Sequence, residues 1–170
     1  MVPFYTKFPT LAEKETRFFI TIGDRYLPDG KYGFVESYCD DPHCDCHRVL
    51  INVISDNDPV KIYATINYGW KDNDFYAKLL GPSKTLMPQG ELKGPILDDL
   101  NPQSKYASRF LEIFTKLLED EAYVERFERH YHLFKRAVKK KSSATSNRYI
   151  KRKLKNKKKR KLAKKQRRKK

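Results

Sequence analysis

Alternating apolar and polar positions fill the first half of the chain and helical spacings fill the second, so the pattern predicts a sheet followed by helices. Arg17 to Ile22, RFFITI, is rich in β-branched and aromatic residues and stops at Gly23-Asp24, as a strand does. From Lys31 the run YGFVESYC places Tyr32, Phe34, Glu36 and Tyr38 on one face and Gly33, Val35, Ser37 and Cys39 on the other. RVLINVIS, Arg48 to Ser55, is a third strand. Val60 to Tyr68 is a fourth, with Ile62, Ala64 and Ile66 expected opposite Lys61, Tyr63, Thr65 and Asn67. The short, turn-rich connections Pro28-Asp29-Gly30 and Asp56-Asn57-Asp58-Pro59 favour an antiparallel meander over a parallel sheet.

Helical signals then take over. Asp72 or Asn73 is placed to cap a short helix from about Asp74 to Leu80, ended by Gly81. Residues 81 to 101 carry three prolines and three glycines and read as a long loop with at most a short strand. Asn101-Pro102 predicts a helix start, after which Tyr106, Phe110, Ile113, Phe114 and Leu117 share one face. A second helix begins after Asp120, with Val124, Phe127, Tyr131, Phe134 and Val138 as its buried seam. Residues 1 to 16 read as an irregular arm. The fold class expected is therefore α+β: a small antiparallel sheet of about four strands, packed by two C-terminal helices.

Charge divides this chain in two. Of the 37 Lys and Arg residues, 21 fall from Lys135 onward, where there is no Asp or Glu; residues 1–134 hold 16 basic and 21 acidic residues, a net charge of −5. The basic character belongs to the tail. Residues 1–141 are thus expected to form the compact domain and 142–170 a polybasic tail, with Ser142 to Asn147 as a polar linker. A segment so charged and so poor in apolar residues cannot build a core, so alone in solution it is expected to be disordered, becoming helical when phosphates neutralise it. Lys151, Arg152, Lys153, Lys157, Lys158, Lys159, Arg160, Arg167 and Arg168 are the residues expected to meet a nucleic-acid backbone, DNA or RNA, without sequence preference. A solubilising or nuclear-import tail is the plainer alternative.

The cysteines add the chemistry. All three stand in one stretch, CDDPHCDCH from Cys39 to His47, at the tip of the hairpin made by the second and third strands. Thiolate and imidazole suit Zn2+ in a structural site, so Cys39, Cys44 and Cys46 are candidate ligands with His47 or His43 as the fourth. His130 or His132 could reach the cluster only in the fold, and two residues apart on a helix they point to different sides. Three reduced cysteines without metal, or a C-x-C redox pair, are the alternatives; an odd count argues against a disulfide framework.

No phosphate-binding glycine loop, nucleophile elbow or H-E-x-x-H pair is present. The close carboxylates Asp56 and Asp58, and Asp72 and Asp74, are explained as turn and cap residues. The function expected is a zinc-stabilised nucleic-acid-binding accessory protein. A metal-dependent enzyme on nucleic acid or a phosphoester would need Asp40, Asp41 or Asp45 as acid or base; an adaptor would bind a protein through the acidic body and use the tail as a localisation signal. No run approaches the roughly 20 apolar residues of a membrane span. The location expected is cytoplasmic or nucleoid-associated, or nuclear in a eukaryote.

Overall fold

The computed structural model describes the backbone of residues 1–80 and 93–167 and, beyond Ser142, the side chains of Arg148, Arg152, Lys153 and Lys155. Among these residues an antiparallel sheet of six strands is built from β1 (Val2–Pro3), β2 (Phe18–Thr21), β3 (Gly30–Tyr38), β4 (Arg48–Ser55), β5 (Ile62–Gly69) and β6 (Gly94–Leu97). Its order is β1-β3-β4-β5-β6, and β2 pairs with β3 as well. Strands β1 and β2 thus share one edge, β1 at Ser37 and Tyr38 and β2 from Gly30 to Gly33. The helices are α1 (Pro9–Glu15), α2 (Asn73–Leu80), α3 (Ala107–Leu117) and α4 (Glu121–Arg167).

One face of the sheet carries the core. Tyr32, Phe34 and Tyr38 of β3, Val49, Ile51 and Val53 of β4, and Ala64 and Ile66 of β5 are buried beneath Phe110 and Phe114 of α3 and Phe127, Tyr131 and Phe134 of α4. Each such ring or branched side chain contributes about 1.5–3 kcal/mol by leaving water. The alternation predicted for β3 places Tyr32, Phe34, Glu36 and Tyr38 on the buried face as observed, and β4, expected only as a strand, alternates as well.

In β5 the predicted faces change over. Val53 pairs with Ala64 but Ile54 pairs with Ile62, so Tyr63 is an extra residue at a bulge. A one-residue slip moves side chains to the opposite face. Tyr63 turns in against Tyr32 and Phe110, with ring centroids at 5.4 and 6.0 Å, and Ile62 is left exposed.

The sheet is also larger than the four strands expected. The N-terminal arm supplies β1 and α1, and the far end of the long loop supplies β6; residues 81–92, including the expected helix end at Gly81, lie outside the described residues. Helix α3 starts at Ala107 rather than Pro102. The reason is Gln103, whose amide accepts from Thr65 N and donates to Thr65 O and Asp98 O, holding the segment against β5. Asp72 does cap α2, accepting from Phe75 N at 2.8 Å.

The largest difference is in α4. Residues 142–167, expected to be linker and disordered tail, continue the helix without a break. From Glu121 to Lys170 there is no glycine or proline, and Lys, Arg, Leu, Ala and Gln are good helix formers. The packed first turns also supply the costly nucleus, so extension adds one backbone hydrogen bond per residue.

Candidate metal centre

The loop between β3 and β4 is a tight structure held from several sides. Asp41 Oδ1 accepts from His43 N at 2.8 Å, and Asp41 O accepts from Cys44 N at 3.3 Å. Helix α4 clamps the same loop: Lys135 Nζ donates to Asp41 O, and Tyr131 hydroxyl donates to Asp45 Oδ1, both at 2.9 Å. From the other side, Tyr76 of α2 donates its hydroxyl to His47 O at 2.8 Å. The loop is therefore placed by the fold, not by its own sequence alone.

This clamping brings Cys39, Cys44 and Cys46 together, with their sulfurs all within 4.8 Å of one another. Each is partly buried and none is in a disulfide. Tetrahedral zinc–thiolate bonds of about 2.3 Å would set sulfurs about 3.8 Å apart, so small side-chain rotations suffice to hold an ion. Burial and the neighbouring thiols push Cys44 up to about 12. A divalent cation bound by the three sulfurs would displace their protons. The donor set fits a soft or borderline metal.

No histidine belongs to this group among the described residues. His43 is exposed. His47 sits beside the cluster with its ring against Tyr131, Phe75 and Trp70, at centroid distances of 4.8, 5.2 and 6.0 Å. Its Nε2 lies 3.1 Å from Asp45 Oδ1, while Nδ1 is buried with no hydrogen-bond partner. Burial draws its pKa below the usual histidine value, against the pull of Asp45. The backbone here has φ of 45°, a left-handed conformation unusual outside glycine. His132 is exposed, with its ring 6.2 Å from that of His47.

His130 is committed elsewhere, in a buried polar network that the sequence reasoning missed. Glu36 receives Arg126 Nη2 at 2.9 Å, Tyr38 hydroxyl at 2.8 Å and His130 Nδ1 at 2.7 Å. The other ring nitrogen of His130 meets Glu15 at 3.0 Å, and Phe4 stacks on the ring at 4.1 Å. The signal was present: Glu36 is the one charged residue on the apolar face of β3, and a buried carboxylate needs cationic partners.

Asp45 is held by Tyr131 and His47, which keep its pKa low, while Asp40 and Asp41 are exposed. Asp56 accepts from Lys31 N at 3.1 Å as a turn residue. Of the residues expected to meet phosphate, Lys151, Arg152, Lys153, Lys157, Lys158, Lys159, Arg160 and Arg167 lie on α4, and Arg168 lies outside the described residues. Arg152 and Lys153 are exposed. No helix among the described residues is long and apolar enough to cross a membrane.

Comparison with known proteins finds no matching protein family, and no curated protein or solved structure matches the chain.

Proposed function

We propose that this protein is a zinc-pinned nucleic-acid-binding protein in which α4 joins the two activities. The observation that carries this is α4 itself. Its first turns clamp the three-cysteine loop through Tyr131 and Lys135, and the same helix runs on into the cation-rich segment. Cys39, Cys44 and Cys46 would hold Zn2+ as a structural ion, with His47 as the fourth ligand, because it follows Cys46 in the chain and its Nδ1 is buried without a partner among the described residues. Residues 142–167 span about 39 Å at 1.5 Å per residue, and their charge density suits a polyphosphate.

Zinc content of the purified full-length protein tests the first half. About one ion per chain is expected, lost when all three cysteines become serine. Binding to duplex nucleic acid across a salt series tests the second. If about eight phosphates are neutralised, log affinity falls with log salt at a slope near −7; a flat response ends the proposal.

A further inference from the structure

We propose a second ligand site, for a phosphate monoester, on the body of the protein where α1, β2 and α4 meet. A hollow of about 480 Å3 there is lined by Lys14, Glu15, Thr16, Arg17, Phe18 and Arg126. Half of these residues are cations, in a body whose net charge is negative. The single anion is already committed, because Glu15 takes Arg129 at 2.6 Å and His130 at 3.0 Å. Arg17 is paired with Asp120 at 2.8 Å, but both side chains are about half exposed and water or an oxyanion exchanges such a pair at little cost.

Arg126 is the most enclosed member of the lining, with 7% of its side chain exposed. Its Nη2 holds Glu36 and its Nη1 meets Glu15 O. The guanidinium lies 4.2 Å from the ring of Tyr123 and is hydrogen-bonded to that side chain. A phosphate in the hollow would meet the exposed Lys14 and Arg17, with the Arg126 charge enclosed behind them.

Phe18 sets what the phosphate carries. Its ring is 57% exposed, has the Lys31 ammonium 3.9 Å away, and also lines a neighbouring hollow with Val35, Ile54 and Pro59. An exposed aromatic ring and apolar surface beside an oxyanion position suit a nucleobase, which stacks on such a ring without sequence preference. The ligand class is a nucleotide monophosphate, free or as the phosphorylated end of a strand. The site is independent of the tail.

Calorimetric titration of the full-length protein with adenosine 5′-monophosphate, inorganic phosphate and adenosine tests it. The nucleotide is expected to saturate one site per chain, phosphate to bind more weakly, and adenosine not to bind. The double variant Lys14→Ala, Arg17→Ala, at two exposed positions, should weaken the nucleotide roughly tenfold or more with unfolding temperature unchanged. Replacing Lys157, Lys158 and Lys159 by Gln should leave this binding intact while weakening duplex binding. Absence of saturable binding, wild-type affinity in the double variant, or loss in the tail variant overturns the proposal. A 5′-phosphorylated trinucleotide that binds more tightly than the mononucleotide, with its 5′-hydroxyl counterpart inactive, identifies a strand end; equal affinity identifies the free nucleotide.

Discussion

The two halves of α4 share one backbone conformation and almost nothing else. From Glu121 to Val138 the helix turns Phe127, Tyr131, Phe134 and Val138 into the core, and its buried polar residues Arg126, His130 and Lys135 all meet partners. From 142 to 167 it has no acidic residue, and the side chains of Arg148, Arg152, Lys153 and Lys155 are exposed. Packing holds the first half. Propensity and continuation hold the second, against like charges three and four residues apart, such as Lys151 and Lys155, that each cost about 0.2–0.5 kcal/mol.

The largest expected effect falls on what the packed half clamps. Changing Cys39, Cys44 and Cys46 together to serine should remove zinc and, because structural zinc contributes on the order of 10 kcal/mol, abolish the cooperative thermal transition. A metal-free triple variant that unfolds like the wild type would separate the cysteines from stability.

Arg126→Ala comes next. It leaves Glu36 without its guanidinium in the core and should cost about 3–5 kcal/mol, read as a lowered denaturant midpoint.

Proline breaks the comparison most directly. Ala137→Pro, in the packed half, should destabilise the body by about 3 kcal/mol or more, whereas Ala144→Pro, in the basic half, should leave the thermal transition of the body where it was. Equal losses would mean that the basic half is also packed. Added salt or phosphate should sharpen the difference, raising helical ellipticity by relieving repulsion in residues 142–167 with no change in near-ultraviolet signal.

The smallest effect is acid-side. The Arg129 guanidinium, joined by His130, holds Glu15 below the ordinary glutamate value, so the carboxylate stabilises the fold at higher pH and loses that contribution as pH falls through its lowered pKa. Glu15→Gln should flatten the acid limb of the stability profile below about pH 4.5, the unshifted value. A profile identical to wild type would show that the pair with Arg129 carries no weight.

Much of this was legible. The alternation in β3 and β4 reads directly because one face is buried and the side-chain period is two. The cysteine cluster reads as a site because all three thiols lie within one turn of chain. Tyr63 was misplaced because a bulge leaves no mark in a run that alternates as regularly as VKIYATINY. The start of α3 was misplaced because Asn101-Pro102 is a good local signal that Gln103 overrides by bonding a distant strand. The helical continuation through 142–167 was not expected because low hydrophobicity says that a segment cannot pack, and says less about whether it can extend a helix already begun.

Local physics in the sequence therefore determined which stretches are strands and helices, where the charge lies, and that three thiols share one turn. Only the tertiary structure decided that α4 grips the cysteine loop, that His130 serves Glu36 and Glu15 rather than a metal, and that Arg126 ends beneath a cationic hollow. Those contacts join residues some 90 to 115 positions apart. Periodicity reports which side of an element is buried; it carries no record of which element arrives to bury it.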